Sequence, residues 1–342
     1  FENEFKKYTQ SKACVAVNSG TAALNLAFSL FDIKNKEVIL PSLSFVSTAH
    51  CIVENGGIPV FVDIEPDTLC IDPVKIKQAI SKNTTAIIPV HFGGMPCNLD
   101  KIHKIAKSFN LDTIEDAAHA LGAKYQDGSM VGNCKYSDMT GFSFHPVKSI
   151  AAGEGGMITT NNYEIYKRLL RLRSHGINKL DDAFKSEELA YTQGIQNPWY
   201  HEMQELGYNY RITDIQCALG ISQLKKLNYF ISERRKIAKE YDNFFKKKSD
   251  IIIPKIKPYS FHSYHLYPLR IKFSKFKITK IEFFKKMYKN DIKLQVHYIP
   301  IHLQKYYKKI LNKQKLKLGN AINFYEDECS LPIFPGLTKT NI

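Results

Sequence analysis

The chain has no uninterrupted apolar run near the roughly 20 residues that a membrane span requires, so no membrane partner is expected. Its opening stretch, FENEFKKYTQ, carries acids and amides where a secretory signal would carry an apolar core. The expected location is the cytoplasm. The seven cysteines (14, 51, 70, 97, 134, 217 and 329) are odd in number and scattered, with no C-x-x-C pair and no His/Cys cluster at zinc spacing. Reduced thiols and no metal site follow. Internal repeats and low-complexity linkers are missing as well.

Acids are in deficit, 33 against 48 lysines and arginines, for a net charge of +15. A nucleic-acid binder would gather its bases on one face or along one helix. Here the lysines concentrate after residue 224, in LKKLNYFISERRKIAKEYDNFFKKKSD and KFSKFKITKIEFFKKMYKN, mixed with aromatics at helical spacing. That pattern fits the solvated faces of amphipathic helices, leaves room for an anionic small-molecule substrate, and calls for no nucleic acid.

What is present is enough for a sizeable core: 342 residues, 44% hydrophobic, divide into two domains at about 100 to 200 residues each. CVAVN, EVILP, IPVFVDI, TAIIPVHF, LDTIED, MTGFSF and GGMITTN have the length and β-branched content of strands. Helical patterns lie between several of them: GTAALNLAFSLF, DPVKIKQAIS and NLDKIHKIAKSFN. The alternation predicts an α/β fold, a mostly parallel sheet flanked by helices, with ligands bound at the C-terminal strand ends. From Thr213, a candidate N-cap, a long helical run follows in TDIQCALGISQLKKLNYFISERRKIAKEYDNFFKK. Strand-like YHLYPLRIKF, helical KIEFFKKMYKN and strand-like KLQVHYIP then form a smaller α/β unit. The expected domains are residues 1–235 and 236–342.

Four short segments bear on chemistry. GFSFHPVKSIAAGEGGMITTN sets Lys148 just before a run of glycines. Lysine forms a Schiff base with an aldehyde once its amine can lose a proton near neutral pH, although a surface loop also accommodates a lysine. VNSGTAALNLAF joins a strand to a helix through Ser19, Gly20 and Thr21; the first-turn amides of such a helix suit a phosphate, while S-G-T is also an ordinary N-cap. TIEDAAHALGA sets Glu115, Asp116 and His119 just past an apolar strand, where a carboxylate can hold a proton on a pyridine nitrogen or cap a helix. In PSLSFVSTAH, Phe45 can stack on a flat ring or fill a core. Ser143, five residues before Lys148, can bond a phosphate or its own backbone.

Taken in order, VNSGTAAL, PSLSFVSTA, PVFVDIEPDTLCIDP, EDAAHALGA, FSFHPVKSIAAGEGGMITTN and LGYNYRITDIQCALGISQL resemble the DegT/DnrJ/EryC1/StrS sugar aminotransferases. The resemblance implies pyridoxal 5'-phosphate (PLP) as cofactor and the PLP-dependent transferase fold of the aspartate aminotransferase type (type I). That fold has a mostly parallel seven-stranded sheet flanked by helices and a smaller C-terminal domain. It also implies that Lys148 forms the Schiff base and moves the substrate proton, that Asp116 pairs with the pyridine nitrogen, and that Phe45 stacks on the ring. Gly20, Thr21 and Ser143 match the phosphate-binding positions, and His119 sits close to the cofactor. Asn209, in GYNYR, matches an asparagine that reaches the phosphate from the partner subunit of a homodimer with shared active sites.

The segments NPWYHEMQELGYNYRITDIQCALGISQLKKL and VHYIPIHLQKYY are similar to those of family members that serve pseudaminic acid biosynthesis. The implied substrates are a UDP-linked 4-keto-6-deoxy-N-acetylhexosamine and L-glutamate as amino donor, with His297 and Tyr298 as substrate-binding candidates. The family pattern carries a further segment before the position of Phe1 and another beyond LPIFPGLTKTNI, so some substrate contacts are expected outside this sequence. Other readings are an aminotransferase acting on another nucleotide-linked 4-keto or 3-keto sugar, and a non-catalytic nucleic-acid-binding regulator on the same fold. A pyridoxamine-dependent dehydratase would carry histidine where Lys148 stands.

Overall fold

In a computed structural model of the chain, residues 1–178, 184–257, 260–311 and 316–342 are described. All seven expected strands of the first two thirds form: β1 (Ala13–Val17), β2 (Glu37–Pro41), β3 (Ile58–Val62), β4 (Thr84–Ile87), β5 (Asp112–Asp116), β6 (Met139–Ser143) and β7 (Gly156–Thr160). They make one sheet in the order β1-β7-β6-β5-β4-β2-β3. Only β7 runs antiparallel to its neighbours, β1 and β6; the remaining pairs are parallel.

Period-two alternation explains why a sheet of such apolar strands is stable in the middle of the domain. Val15 and Val17 enter one hydrophobic cluster and Cys14 and Ala16 another, so β1 is buried on both faces. Each fully buried valine contributes about 1.5–3 kcal/mol relative to exposure. Helices cover the faces. They include α1 (Glu2–Thr9), α2 (Gly20–Ser29), α3 (Val46–Glu54), α4 (Pro73–Ala79), α5 (Leu99–Phe109) and α6 (Tyr163–Arg173). α2 is buried continuously from Ala22 to Phe28, which is why its sequence is not amphipathic; the one polar side chain in that stretch, Asn25, bonds Tyr210 and Asn55.

The long run after Thr213 forms α7 (Asp214–Leu224) and α8 (Leu227–Phe245). Thr213 and Gln216 close a capping box at its start. The expected continuity ends at Lys225–Lys226, where a tighter bond from Lys226 N to Gln223 O (2.9 Å) turns the backbone; Leu224, Leu227 and Ile231 thereby all reach the same core. No glycine or proline marks the break.

A second core begins at Ile237 and contains Tyr241, Tyr267, Leu269 and Cys329. It packs on an antiparallel sheet of β8 (Ile251–Ile252), β9 (Tyr267–Ile271) and β10 (Glu328–Leu331), with α9 (Lys280–Lys289) beside it. The expected strand KLQVHYIP is not one. Its backbone pairs with the sheet only at an isolated Gln295–Ser330 bridge; the His297 N–H goes instead to the Glu328 carboxylate at 3.0 Å, and Pro300 has no N–H to offer. Beyond it, Ile301, Tyr307 and Leu318 pack into the core of the large sheet. No helix among the described residues is long and apolar enough to cross a membrane.

The register aligns the strand ends that matter. Val17 pairs with Gly156, and Gly156 with Ser143; on the next strand Asp116 pairs with Gly141. The carboxyl ends of β1, β5 and β6 therefore share one edge. Gly156 is required there, because a Cβ would stand 2.3 Å from Ser19 O and 3.0 Å from Gly20 N. Gly156→Ala should therefore displace the loop into α2, costing about 1–3 kcal/mol by overpacking. Thermal denaturation measures this, and an unchanged melting curve would contradict the packing.

Candidate active site

A cavity of about 480 Å³ opens at this shared edge. Its floor and walls come from the loop before α2, the end of β5, the end of β6 and the turn after it, the start of α3, and the segment at His297 and Tyr298. Of the candidates named from sequence, Gly20, Thr21, Phe45, Asp116, His119, Ser143, Lys148, His297 and Tyr298 lie on it; Glu115, turned to the other side of the sheet, and Asn209 do not. Asn209 is exposed, bridges backbone to backbone with Ser174, and accepts a bond from Asn18 Nδ2 at 3.5 Å through its carbonyl.

Gly20 and Thr21 open α2, capped by Ser19, whose Oγ accepts from Ala22 N at 3.0 Å. The first-turn amides of such a helix point outward without intrahelical acceptors and, with the positive end of the dipole, favour an anion. Ser143 closes in from β6 so tightly that a Cβ on Gly20 would meet Ser143 Cβ at 2.6 Å. Amides and hydroxyl together form a cradle that any larger residue at 20 would fill.

Asp116 ends β5 and is 5% exposed. Its Oδ2 accepts from Thr48 Oγ1 at 2.7 Å and its Oδ1 from Ala118 N at 3.1 Å. Because Thr48 gives its proton to Asp116, the 2.8 Å contact between Ser44 and Thr48 must have Ser44 as donor. This Ser44–Thr48–Asp116 chain orients the carboxylate. Thr48 was missed from sequence. Its place three residues after Phe45, in the first turn of α3, is the only signal that would have found it.

Lys148 sits half-buried in the turn after β6, its N–H bonded to His145 O. Burial brings its amine down from the usual 10.5 to about 8, with Asp116 pulling the other way. His119 is kept neutral, well below the ordinary histidine value, by burial and then by Lys148 and His297. Its Nδ1 accepts from Gly93 N at 3.3 Å, so Nε2 carries the hydrogen and donates to Tyr298 Oη at 3.1 Å. The Tyr298 phenol keeps its own proton, its acidity suppressed by burial and by Asp116. Phe45 caps α3 at the cavity mouth, 54% exposed, its ring 5.8 Å from that of Tyr298. His265, buried 4.5 Å from the His119 ring, was not anticipated.

The cavity thus offers an anion cradle at one end, an oriented carboxylate on its floor, an aromatic ring at its mouth and an amine able to shed its proton near neutral pH. That donor set fits a flat, phosphorylated pyridine aldehyde. The fold is that of PLP-dependent transferases.

The profile of the DegT/DnrJ/EryC1/StrS aminotransferase family matches residues 1–342, and the chain belongs to that family. An uncharacterised protein of Methanocaldococcus jannaschii is 43% identical, over 100% of this chain and 86% of its own. A Campylobacter jejuni protein named UDP-4-amino-4,6-dideoxy-N-acetyl-beta-L-altrosamine transaminase is 40% identical over 97% of this chain and 83% of its own. Among solved structures, Helicobacter pylori PseC, described as an aminotransferase involved in the biosynthesis of pseudoaminic acid, superposes with a TM-score of 0.88. It is 32% identical and the match covers 99% and 86% of the two chains. A Streptococcus pneumoniae protein on the same fold is known in PLP and PMP forms, and PLP is the cofactor of these aminotransferases.

Selective acetylation followed by peptide mass spectrometry should find Lys148 in the cofactor-free protein half-reactive near pH 8, where exposed lysines are still protonated. Asp116→Asn removes the attraction that holds the proton on, so the midpoint should fall further. A midpoint that rises, or that matches the surface lysines, would contradict the reading of this site.

Proposed function

We propose that this aminotransferase moves the amino group of glutamate to the keto carbon of a UDP-linked 4-keto-6-deoxy-N-acetylhexosamine, giving UDP-4-amino-4,6-dideoxy-N-acetyl-β-L-altrosamine. The observation that carries the chemistry is the placement of Lys148 and Asp116 on one cavity with an anion cradle at its end. The substrate is inferred from the names borne by the Campylobacter and Helicobacter relatives. The spore coat polysaccharide protein of Bacillus subtilis, 37% identical, keeps a different nucleotide sugar as the second reading.

In this mechanism PLP, when bound, supplies an aldehyde that takes up the donor's nitrogen and a protonated ring that draws electrons away from the reacting carbon. The Gly20 and Thr21 amides and the Ser143 hydroxyl would hold its phosphate, Asp116, fixed by Thr48 and Ala118, would hold a proton on its ring nitrogen, and Phe45 would shield its ring from water. The Lys148 amine, neutral above about pH 8, would anchor the cofactor and serve as the acid-base group for the proton on the substrate carbon.

A homodimer is part of the proposal. Phe45 and Val147 stand 54% and 61% exposed at the cavity mouth, and Trp199, Leu206 and Ile215 flank the Asn209 segment at 75%, 84% and 84%. Apolar side chains this exposed, grouped on neighbouring segments, favour burial against a second copy, and an Asn209 that lies off its own cavity is free to serve the partner's.

Lys148→Ala should lose the yellow absorbance and about 10⁴-fold or more in turnover, the upper range of acid-base catalysis. Asp116→Ala should stay folded and lose roughly 10- to 100-fold, the worth of one charge-assisted hydrogen bond. Incubation of the wild type with glutamate and a panel of nucleotide-linked 4-keto and 3-keto sugars, read by mass spectrometry, assigns the substrate. Conversion of only a sugar other than the N-acetylated UDP 4-keto sugar would overturn that part of the proposal.

A further inference from the structure

Three side chains run from the cavity into the small domain. His297 lines the cavity beside Lys148 and Tyr298, and also a second hollow of about 700 Å³ on their far side. Its Nδ1 lies 2.8 Å from Ser330 Oγ, and Ser330 Oγ lies 2.6 Å from Glu328 Oε1. Ser330 is 4% exposed and Glu328 wholly buried. Glu328 Oε2 is occupied as acceptor by the His297 backbone N–H at 3.0 Å. A proton on this carboxyl therefore belongs on Oε1, the oxygen that faces Ser330.

A serine hydroxyl between an imidazole nitrogen and a carboxyl oxygen can point either way. With Glu328 ionised, Ser330 donates to Oε1 and accepts from His297 Nδ1–H, leaving Nε2 as a bare acceptor. With Glu328 protonated, Oε1–H donates to Ser330, Ser330 donates to Nδ1, and Nε2 bears the hydrogen. Uptake of one proton at Nε2, with the Nδ1 proton passing to Ser330 and the Ser330 proton passing to Oε1, converts the first state into the second, and the ring is neutral in both.

We propose that His297, set by the positioning pair Ser330 and Glu328, is a second proton carrier of the active site, serving the substrate oxygen while Lys148 serves the substrate carbon. This rests on the aminotransferase reading above. Releasing the donor as a keto acid requires a water molecule to lose a proton as it adds. The relay takes that proton at Nε2, passes one from Nδ1 to Ser330 and one from Ser330 to Glu328. Amination of the sugar ketone expels its oxygen as water, and that oxygen must gain a proton. The relay returns it by the reverse shifts, so the two half-reactions leave Glu328, Ser330 and His297 as they began.

The surroundings allow both states. Burial raises the Glu328 carboxyl from 4.5 to about 7, opposed by the bond from Ser330, by Lys280 on α9 and by the His297 N–H. Burial and then Lys148 bring His297 down to about 4, which keeps the ring from becoming cationic. His119 and His265, both neutral, and the Tyr298 phenol are the other titratable groups around the ring. Glu328, Cys329, Asp327 and Glu326 all act electrostatically on Lys280.

Nitrogen-15 NMR of histidine-labelled holoenzyme, with the His297 signal assigned by its loss in His297→Asn, reads the tautomer on the protein alone. The expected result is Nδ1–H above about pH 7 and Nε2–H below it, with no imidazolium between. Ser330→Ala and Glu328→Gln should each abolish that pH dependence. In turnover, Ser330→Ala should lower kcat about 100-fold with KM nearly unchanged, and Ser330→Thr, which keeps the hydroxyl, should recover most of it. A wild-type ring locked in one tautomer from pH 6 to 8, or a Ser330→Ala enzyme with near wild-type kcat, overturns the relay. Wild-type failure to aminate any keto sugar would instead remove the substrate reading, and the delivery step with it, whatever the ring tautomer does.

Discussion

Withdrawing the Lys148 amine from water costs free energy in proportion to its charge, and Asp116 returns only part of it, so the folded protein holds this lysine close to losing its proton. Everything else at the site arranges that imbalance. The amine stands in a turn just past β6 and the carboxylate at the end of β5, and these strands are parallel neighbours. Their shared carboxyl edge brings the two groups onto one cavity without long loops. The same edge carries the start of α2, whose dipole and free amides add the positive field an anionic cofactor needs.

The pleat separates structure from chemistry within two adjacent acids. Asp116 faces the cavity, and Glu115, one residue earlier, faces the opposite side of the sheet. Glu115 is wholly buried and collects hydrogen bonds from His91 at 2.6 Å, Thr140 at 3.0 Å, Tyr125 and Ser137. Burial pushes its carboxyl up, but the His91, Ser137 and Tyr125 interactions outweigh that and leave it below its ordinary value. His91 in turn accepts from Cys97 N at 3.0 Å through Nδ1. This network fixes the end of β5, and with it the direction in which Asp116 points.

The strands, their burial and the edge they share were legible because each is a local pattern: a β-branched run, a glycine-marked turn, a Ser or Thr before a helix. Lys148, Asp116, Phe45, Gly20 and Ser143 were legible because chemistry demands those residue types beside such turns, and family resemblance sharpened the choice. What stayed hidden depends on distance in the chain. Thr48 meets Asp116 across 68 residues and His297 meets Glu328 across 31, and nothing near either residue announces the partner. KLQVHYIP has the alternation of a strand, yet its backbone bonds a carboxylate in place of a neighbouring strand. The turn at Lys225–Lys226 follows the position of a core that the local sequence does not encode.

The most direct test of the central claim is the absorbance spectrum of the purified protein reconstituted with PLP, recorded before and after addition of glutamate. A yellow band that is present beforehand and is lost on adding the donor, with release of 2-oxoglutarate, is the predicted result. A protein that takes up no PLP, or whose band is indifferent to every amino donor, would contradict it.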